Sequence, residues 1–236
     1  MTKPLVKCVV WDLDNTVWNG TLLEGDTVTL KSGVIELIRE LDSRGILHSI
    51  ASRNNHDDAI RQLKTFGLDE YFLYPEIGWV AKSESIRRIV EKLNIGYDAI
   101  LFLDDQPFER DEVSSVHPAI WCLDSADLGG LLDHPRLRPK YITRDSRLRR
   151  SMYKDDISRQ REEDAFVGPK EDFLRQLSMV FEIAEAQEED LLRAESVLED
   201  VIGFRESARH ITAPQVEVER DVGIPAAFQV LEIGKR

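Results

Sequence analysis

Residues 6–16 read Val-Lys-Cys-Val-Val-Trp-Asp-Leu-Asp-Asn-Thr. The short apolar run, rich in β-branched residues, has the character of a buried strand, and it stops at Asp12. Two carboxylates, Asp12 and Asp14, then stand two positions apart at its carboxyl end. Asp and Asn also favour turns, so the tripeptide alone is weak. Its place directly after an apolar strand, near the start of the chain, gives it weight.

Outward from this strand, helical and strand periods alternate. Residues 17–30 hold two β-prone pieces, 21–23 and 27–30, around Glu24-Gly25-Asp26, and read as a small hairpin or flap. Helices are predicted over residues 32–44, 57–66, 83–93 and 108–116, each with one apolar face. Strands are predicted over 46–51, 71–74, 99–103 and 119–123. This alternation predicts an α/β fold, a doubly wound, Rossmann-like parallel sheet with a minimal cap. In such sheets ligands bind where strands end, near the point at which strand order reverses. The character changes after Asp133. A proline-punctuated linker, His134-Pro-Arg-Leu-Arg-Pro-Lys, leads to a charged helix over 145–165, and the pattern suggests helices at 170–177 and 188–201 with strands at 180–184 and 228–233. The expected organisation is a core over 1–135 with a flap at 17–30, a charged helical extension over 136–177 and a tail over 178–236, the whole C-terminal part α-rich.

The 236 residues are 42% hydrophobic, enough for an ordinary core, and the formal charge is −13. Such acidity disfavours nucleic acid as a partner. No apolar run approaches the roughly 20 residues that span a bilayer, so no membrane partner is expected. The N-terminus lacks the features of a signal peptide. The two cysteines, Cys8 and Cys122, sit in apolar settings, which argues for a reducing, cytoplasmic location.

The polar residues that end the predicted strands carry the chemistry. A magnesium ion takes oxygen ligands, commonly one or two carboxylates plus substrate phosphate. A carboxylate such as Asp12 can attack phosphorus, and Asp14 is placed to serve as acid and then base. Ser52, in Ile50-Ala-Ser-Arg-Asn-Asn, can donate to a phosphoryl oxygen, with Arg53 and Asn54 adding backbone donors. Helix capping competes with that reading, and for Asn54, Asn55 and Asp57 it is the better one. Lys82 opens a helix, an unfavourable place for a cation, which hints at a role in neutralising phosphate. Asp104 and Asp105 end the next strand side by side, and a divalent cation would relieve their repulsion.

With these residues in hand, the chain resembles the haloacid dehalogenase superfamily, in its minimal-cap subfamily IIIC. The stretches Lys7-Cys-Val-Val-Trp-Asp-Leu-Asp-Asn-Thr, Ile77-Gly-Trp-Val-Ala-Lys-Ser and Phe102-Leu-Asp-Asp-Gln-Pro-Phe-Glu-Arg look more narrowly like its FkbH-like branch. The resemblance implies Asp12 as nucleophile and metal ligand. It implies Asp14 as acid/base, with its backbone carbonyl on the metal. Ser52, Arg53 and Lys82 would hold phosphate, and Asp105 would be the further magnesium ligand, with Asp104 close by. It implies a phosphorylated three-carbon substrate, 1,3-bisphosphoglycerate, and an acyl carrier protein that receives a glyceryl unit for polyketide assembly. Where relatives carry a cysteine before the serine, this chain has Ala51. Residues 178–200 resemble the opening of an acetyltransferase-like domain that then stops short.

The absence of a lid-sized insertion suits a long carrier arm. An acidic carrier would need a basic surface, and Arg144, Arg147, Arg149 and Arg150 form the densest basic cluster, although a solvated helix face explains them better. Two other functions compete with glyceryl transfer: a stand-alone magnesium-dependent phosphatase acting on a small phosphate or a phosphoprotein, and a silent scaffold that binds carrier proteins.

Overall fold

A computed structural model describes residues 3–25, 27–166, 179–185 and 229–235. The central sheet contains β1 (Cys8–Trp11), β4 (Leu47–Ser52), β5 (Glu76–Ile77), β6 (Ile100–Asp104) and β7 (Trp121–Asp124). Its order is β5-β4-β1-β6-β7, and every pairing is parallel. β1, β4 and β6 are buried along their whole length, as near-continuous apolar strands covered on both faces must be. The chain winds outward from β1 to β5, then returns to build β6 and β7 on the other side. The reversal falls between β1 and β6, where Asp12 and Asp104 emerge. Register enforces this: Trp11 lies beside Ile50 on one flank and Leu103 on the other. The Asp12 amide donates to the Leu103 carbonyl at 2.9 Å.

The connecting helices are α1 (Val34–Ser43), α2 (His56–Thr65), α3 (Lys82–Leu93) and α4 (Pro107–Val116). α1 buries Val34, Leu37, Ile38 and Leu41, the face its periodicity predicts. Asn55 caps α2, its side chain accepting from the amides of Asp57 and Asp58.

Three local expectations change. Residues 71–74 do not form a strand. Asp69–Tyr71 is a 3-10 turn, Phe72 makes an isolated bridge to His48, and Tyr74 turns to φ +48°. A positive φ cannot continue an extended strand, so the edge strand begins two residues later, at Glu76. In the flap, β2 (Trp18–Asn19) pairs antiparallel with β3 (Thr29–Leu30), while Leu22–Glu24 forms a 3-10 turn instead of the expected strand at 21–23. Gly25 ends that turn at φ +77°. The last strand, expected over 119–123, begins two residues later, at Trp121, and runs to Asp124.

Beyond β7 the chain stays tied to the core. The buried Arg136 donates to the carbonyls of Pro4 and Asp98 and lies over the Trp121 ring. The charged stretch forms α5 (Arg144–Ala165). At its start Ser146 packs against Gly45, where a β-carbon would meet the Ser146 carbonyl oxygen at 2.7 Å. Two of the four clustered arginines are engaged within the molecule. Arg149 donates to the Gly45 carbonyl at 2.9 Å, and Arg150 pairs with Asp42 at 2.8 Å and lies over Tyr71. These two anchor α5 and are not a docking patch.

The chain divides into two compact units, Met1–Asp156 and Ile157–Arg236. In the second, β8 (Met179–Glu185) pairs antiparallel with β9 (Gln229–Lys235). The helices expected at 170–177 and 188–201 lie outside the described residues, as does most of the acetyltransferase-like stretch. Among the described residues no helix is long and apolar enough to cross a membrane.

One buried polar pair inside the core sets a pH dependence. His48 Nδ1 accepts from Trp11 Nε1 at 3.0 Å, and the other ring nitrogen faces the Ile38 carbonyl at 3.1 Å. The ring is therefore the neutral Nε2–H form. Burial lowers its pKa from 6.5 to about 4. The unfolded chain binds a proton below pH 6.5 that the fold excludes, so stability falls as pH drops from 6.5 toward 4, by about 3 kcal/mol. Urea unfolding over pH 7 to 4 should show this loss. The His48→Gln variant, whose amide can still accept from Trp11 and donate to Ile38, should lose that share of the slope. Parallel stability curves for the two proteins would refute the assignment.

Candidate active site

Lys82 is the centre of the site. It opens α3, is 1% exposed, and its ammonium contacts three carboxylates from three other elements. It donates to Asp12 at the end of β1, to Asp104 on β6 at 2.9 Å, and to Glu109 in the first turn of α4 at 2.9 Å. All four side chains are buried. Burial pushes the carboxyls of Asp12 and Asp104 upward, Asp104 to about 7, against the opposing pull of Lys82. Burial opposes the lysine's charge too, but Asp12, Asp104 and Glu109 outweigh it, so the ammonium stays protonated. Glu109 also accepts from the half-exposed Arg53 at 3.2 Å. Asp12, Asp104 and Glu109 are close enough to hold an ion together, but an ammonium already sits among them.

Asp14 faces the flap. One carboxylate oxygen accepts from Trp18 Nε1 at 2.7 Å and from the Leu22 amide at 3.1 Å. The other accepts from Asn54 Nδ2 at 2.9 Å. The strand-like turn of the flap and the loop after β4 thus fix this side chain from both sides. Asn54 is 1% exposed and does not cap α2, the role its sequence context suggests. Both oxygens of the Asp14 side chain thus have donors.

Asp105 differs from its neighbour. Asp104 is satisfied by Lys82 and by the Gln106 amide at 2.8 Å. Asp105 Oδ1 is buried with no hydrogen-bond partner from another residue, and burial raises its pKa although its own backbone amide, Lys31 and Lys82 pull the other way. A buried carboxylate oxygen without a donor is costly unless a cation meets it. Thr16 Oγ1 is likewise buried without a partner, and the buried Ser52 Oγ stands beside the Asp12 carboxyl. The site therefore combines a surplus of buried carboxylates with open oxygen donors. That is the donor chemistry of a hard divalent cation. It offers hydroxyl and ammonium groups for a phosphate beside it.

Helix α4 holds the first turn of α3. Ala81 at the N-cap of α3 supplies no side-chain cap. Glu112 supplies it instead, accepting from the Ser83 amide at 3.1 Å and from the Ser83 hydroxyl. His117 Nε2 lies 3.1 Å from the Ser83 carbonyl. A carboxylate at this helix end offsets the unfavourable position of Lys82. Glu109 and Glu112 are residues that sequence reasoning did not single out, and Asn54 it assigned to capping. For Glu109 a signal existed: it stands four positions after Asp105, on the first helical turn behind the acidic pair.

No thiol joins this cluster among the described residues. Cys8 is buried and burial raises its pKa far above the ordinary range. Cys122 is half-buried, its thiol pushed up to about 11 by burial. Ala51 is fully buried.

Comparison with known proteins places this geometry. The haloacid dehalogenase-like hydrolase family model matches residues 12–116. The human protein magnesium-dependent phosphatase 1 is 30% identical over 131 residues, covering 48% of this chain and 74% of its own length. Among solved structures, the phosphatase-containing N-terminal part of a Bacteroides fragilis protein, complexed with Mg, is 29% identical with a TM-score of 0.45. That match covers 57% of this chain but 40% of the other. A superfamily hydrolase from Ehrlichia chaffeensis is 16% identical, with a TM-score of 0.42 over 52% of this chain and 88% of that one.

The charge cluster makes a stability prediction. Lys82→Met leaves three buried carboxylates without their cation and should cost about 3–5 kcal/mol in urea unfolding. Adding Asp104→Asn and Glu109→Gln should recover more than half of that loss, because the penalty belongs to the unpaired charges. Simple additivity of the three losses would show that the groups act independently.

Proposed function

We propose, from the premise that this chain belongs to the haloacid dehalogenase-like hydrolases, that it is a magnesium-dependent phosphatase working through an aspartyl-phosphate on Asp12. The observation that carries the reading is the Lys82 ammonium clasped by Asp12, Asp104 and Glu109, beside the open carboxylate oxygen of Asp105. Asp12, Asp105 and the Asp14 backbone carbonyl are the groups that would hold magnesium. The bound ion would neutralise charge on the phosphate and the nucleophile.

The chain's own residues divide the remaining work. Lys82 and Ser52 hold the phosphoryl oxygens, and Arg53 adds positive charge at the edge. An Asp12 oxygen forms a bond to phosphorus as the bond from phosphorus to the alcohol oxygen breaks. Asp14 gives its proton to the departing oxygen, then takes one from the water that attacks phosphorus and frees Asp12. Trp18, Leu22 and Asn54 keep the Asp14 carboxyl in place for both steps. Pairing Lys82 with Asp12 before substrate arrives orients the nucleophile in advance.

The finer reading is glyceryl loading of an acyl carrier protein from 1,3-bisphosphoglycerate, as the FkbH-like resemblance suggests. The open site would admit a carrier's arm. Against it stands the thiol inventory: Cys8 lies four residues before Asp12 on β1, about 13 Å down the strand. Glyceryl would then have to pass straight to the carrier thiol. The plain phosphatase reading needs no such group and is preferred. A silent scaffold would have no use for so costly a set of buried charges.

The test supplies phosphate esters, 1,3-bisphosphoglycerate, magnesium and holo carrier protein, and reads phosphate release and carrier mass. Expected are magnesium-dependent phosphate release, its abolition in Asp12→Asn, and its loss on chelation. Asp14→Asn should lower kcat by about 10²–10⁴-fold. The carrier mass should stay unchanged. An Asp12-dependent gain on the carrier would shift the function to glyceryl transfer, and full release by Asp12→Asn would refute both.

A further inference from the structure

Three segments that border the site also carry a large apolar side chain turned out to solvent. Leu23 is 48% exposed and follows Leu22, whose amide binds Asp14. Trp79 is 69% exposed. It follows Gly78, whose amide donates to the Ser52 carbonyl at 3.0 Å, and precedes Lys82 by three residues. Phe108 is 70% exposed and sits between Asp105 and Glu109. It shares a face of α4 with Glu112, one turn on, and neighbours at that spacing are about 6 Å apart. Glu112 grips Ser83 at the start of α3, so the face of α4 that carries Phe108 is turned toward the end of α3 that Trp79 and Val80 lead into. Trp79 and Phe108 are the two tryptophan or phenylalanine side chains left exposed among the described residues. Single exposed apolar residues need no explanation, but one on each of three segments that border the same site does.

We propose that Leu23, Trp79 and Phe108 form an apolar rim that selects phosphate esters whose alcohol portion carries a flat aromatic group. The inference rests on the phosphatase reading and names its substrate class. With phosphate held at Lys82 and Asp12, the leaving oxygen must face Asp14, so the alcohol portion lies toward the flap and the mouth. Apart from the Trp79 indole N–H, the rim side chains offer no hydrogen-bond donor or acceptor there for a polyol. They offer two ring faces, which pair with another ring beyond simple area burial.

The test compares 2-phenylethyl phosphate with ethyl phosphate under magnesium. Both leave as primary alkoxides of similar basicity, so reactivity is matched and the ring is the difference. The wild-type kcat/KM should favour the phenylethyl ester on the order of tenfold. In the Trp79→Ala/Phe108→Ala double variant that ratio should fall toward one, with the melting temperature unchanged because both side chains are exposed. Equal kcat/KM for the two esters in the wild type, or an unaltered ratio in the variant, would overturn the rim. Failure to release phosphate from either ester would overturn the phosphatase reading, and the rim with it.

Discussion

The arrangement depends on one electrostatic constraint: a lysine ammonium buried among three carboxylates. None of the four charges is stable there alone, since each would face several kcal/mol of desolvation. Together they hold because β1, β6, α3 and α4 each deliver one charge to the same point. Lys82 begins a helix, where the dipole disfavours a cation, and the carboxylates of Asp12, Asp104, Glu109 and Glu112 offset that. Displacing any one element would strand a buried charge. The cluster thus ties the local geometry of catalysis to the packing of the whole sheet.

The strand order follows from the same constraint. Asp12 and Asp104 meet because β1 and β6 are neighbours, although 88 residues separate the end of β1 from the start of β6 in sequence. That adjacency is the reversal point of a doubly wound sheet, and its open carboxyl end is where polar groups can collect without breaking the apolar layer beneath. The Trp11–His48 hydrogen bond sits within that layer and shows its limit. A polar pair is tolerated there because every donor and acceptor is met.

Much of this was legible in the sequence for a physical reason. A buried strand is apolar, so the residue that ends it stands out, and Asp12, Ser52 and Asp104-Asp105 were visible in that way. Lys82 was visible because its helix-end placement is unfavourable. Glu109, Glu112 and Asn54 were harder to see. An acid on an exposed-looking helix, or an amide before one, has the same local signature whether it caps, faces water or reaches a distant partner. The Arg149 and Arg150 anchors were misread for the same cause: a basic helical cluster carries no sign of which arginines turn inward. β5 was shifted because the positive φ at Tyr74 is a tertiary outcome, since Tyr has no local preference for it.

The flap shows how a small cap can substitute for a lid. A closing lid strengthens electrostatic interactions by excluding water. Here the environment of the proposed nucleophile is already desolvated: Asp12 is 6% exposed and Lys82 1%. What still has to be arranged is the group proposed to move the proton. The flap does this with a tryptophan N–H and a backbone amide on one oxygen of Asp14, while Asn54 holds the other. Its fourteen or so residues suffice for that work and leave the mouth open. With water not excluded by a lid, selection must come from what lines the opening. That is where the exposed apolar side chains stand.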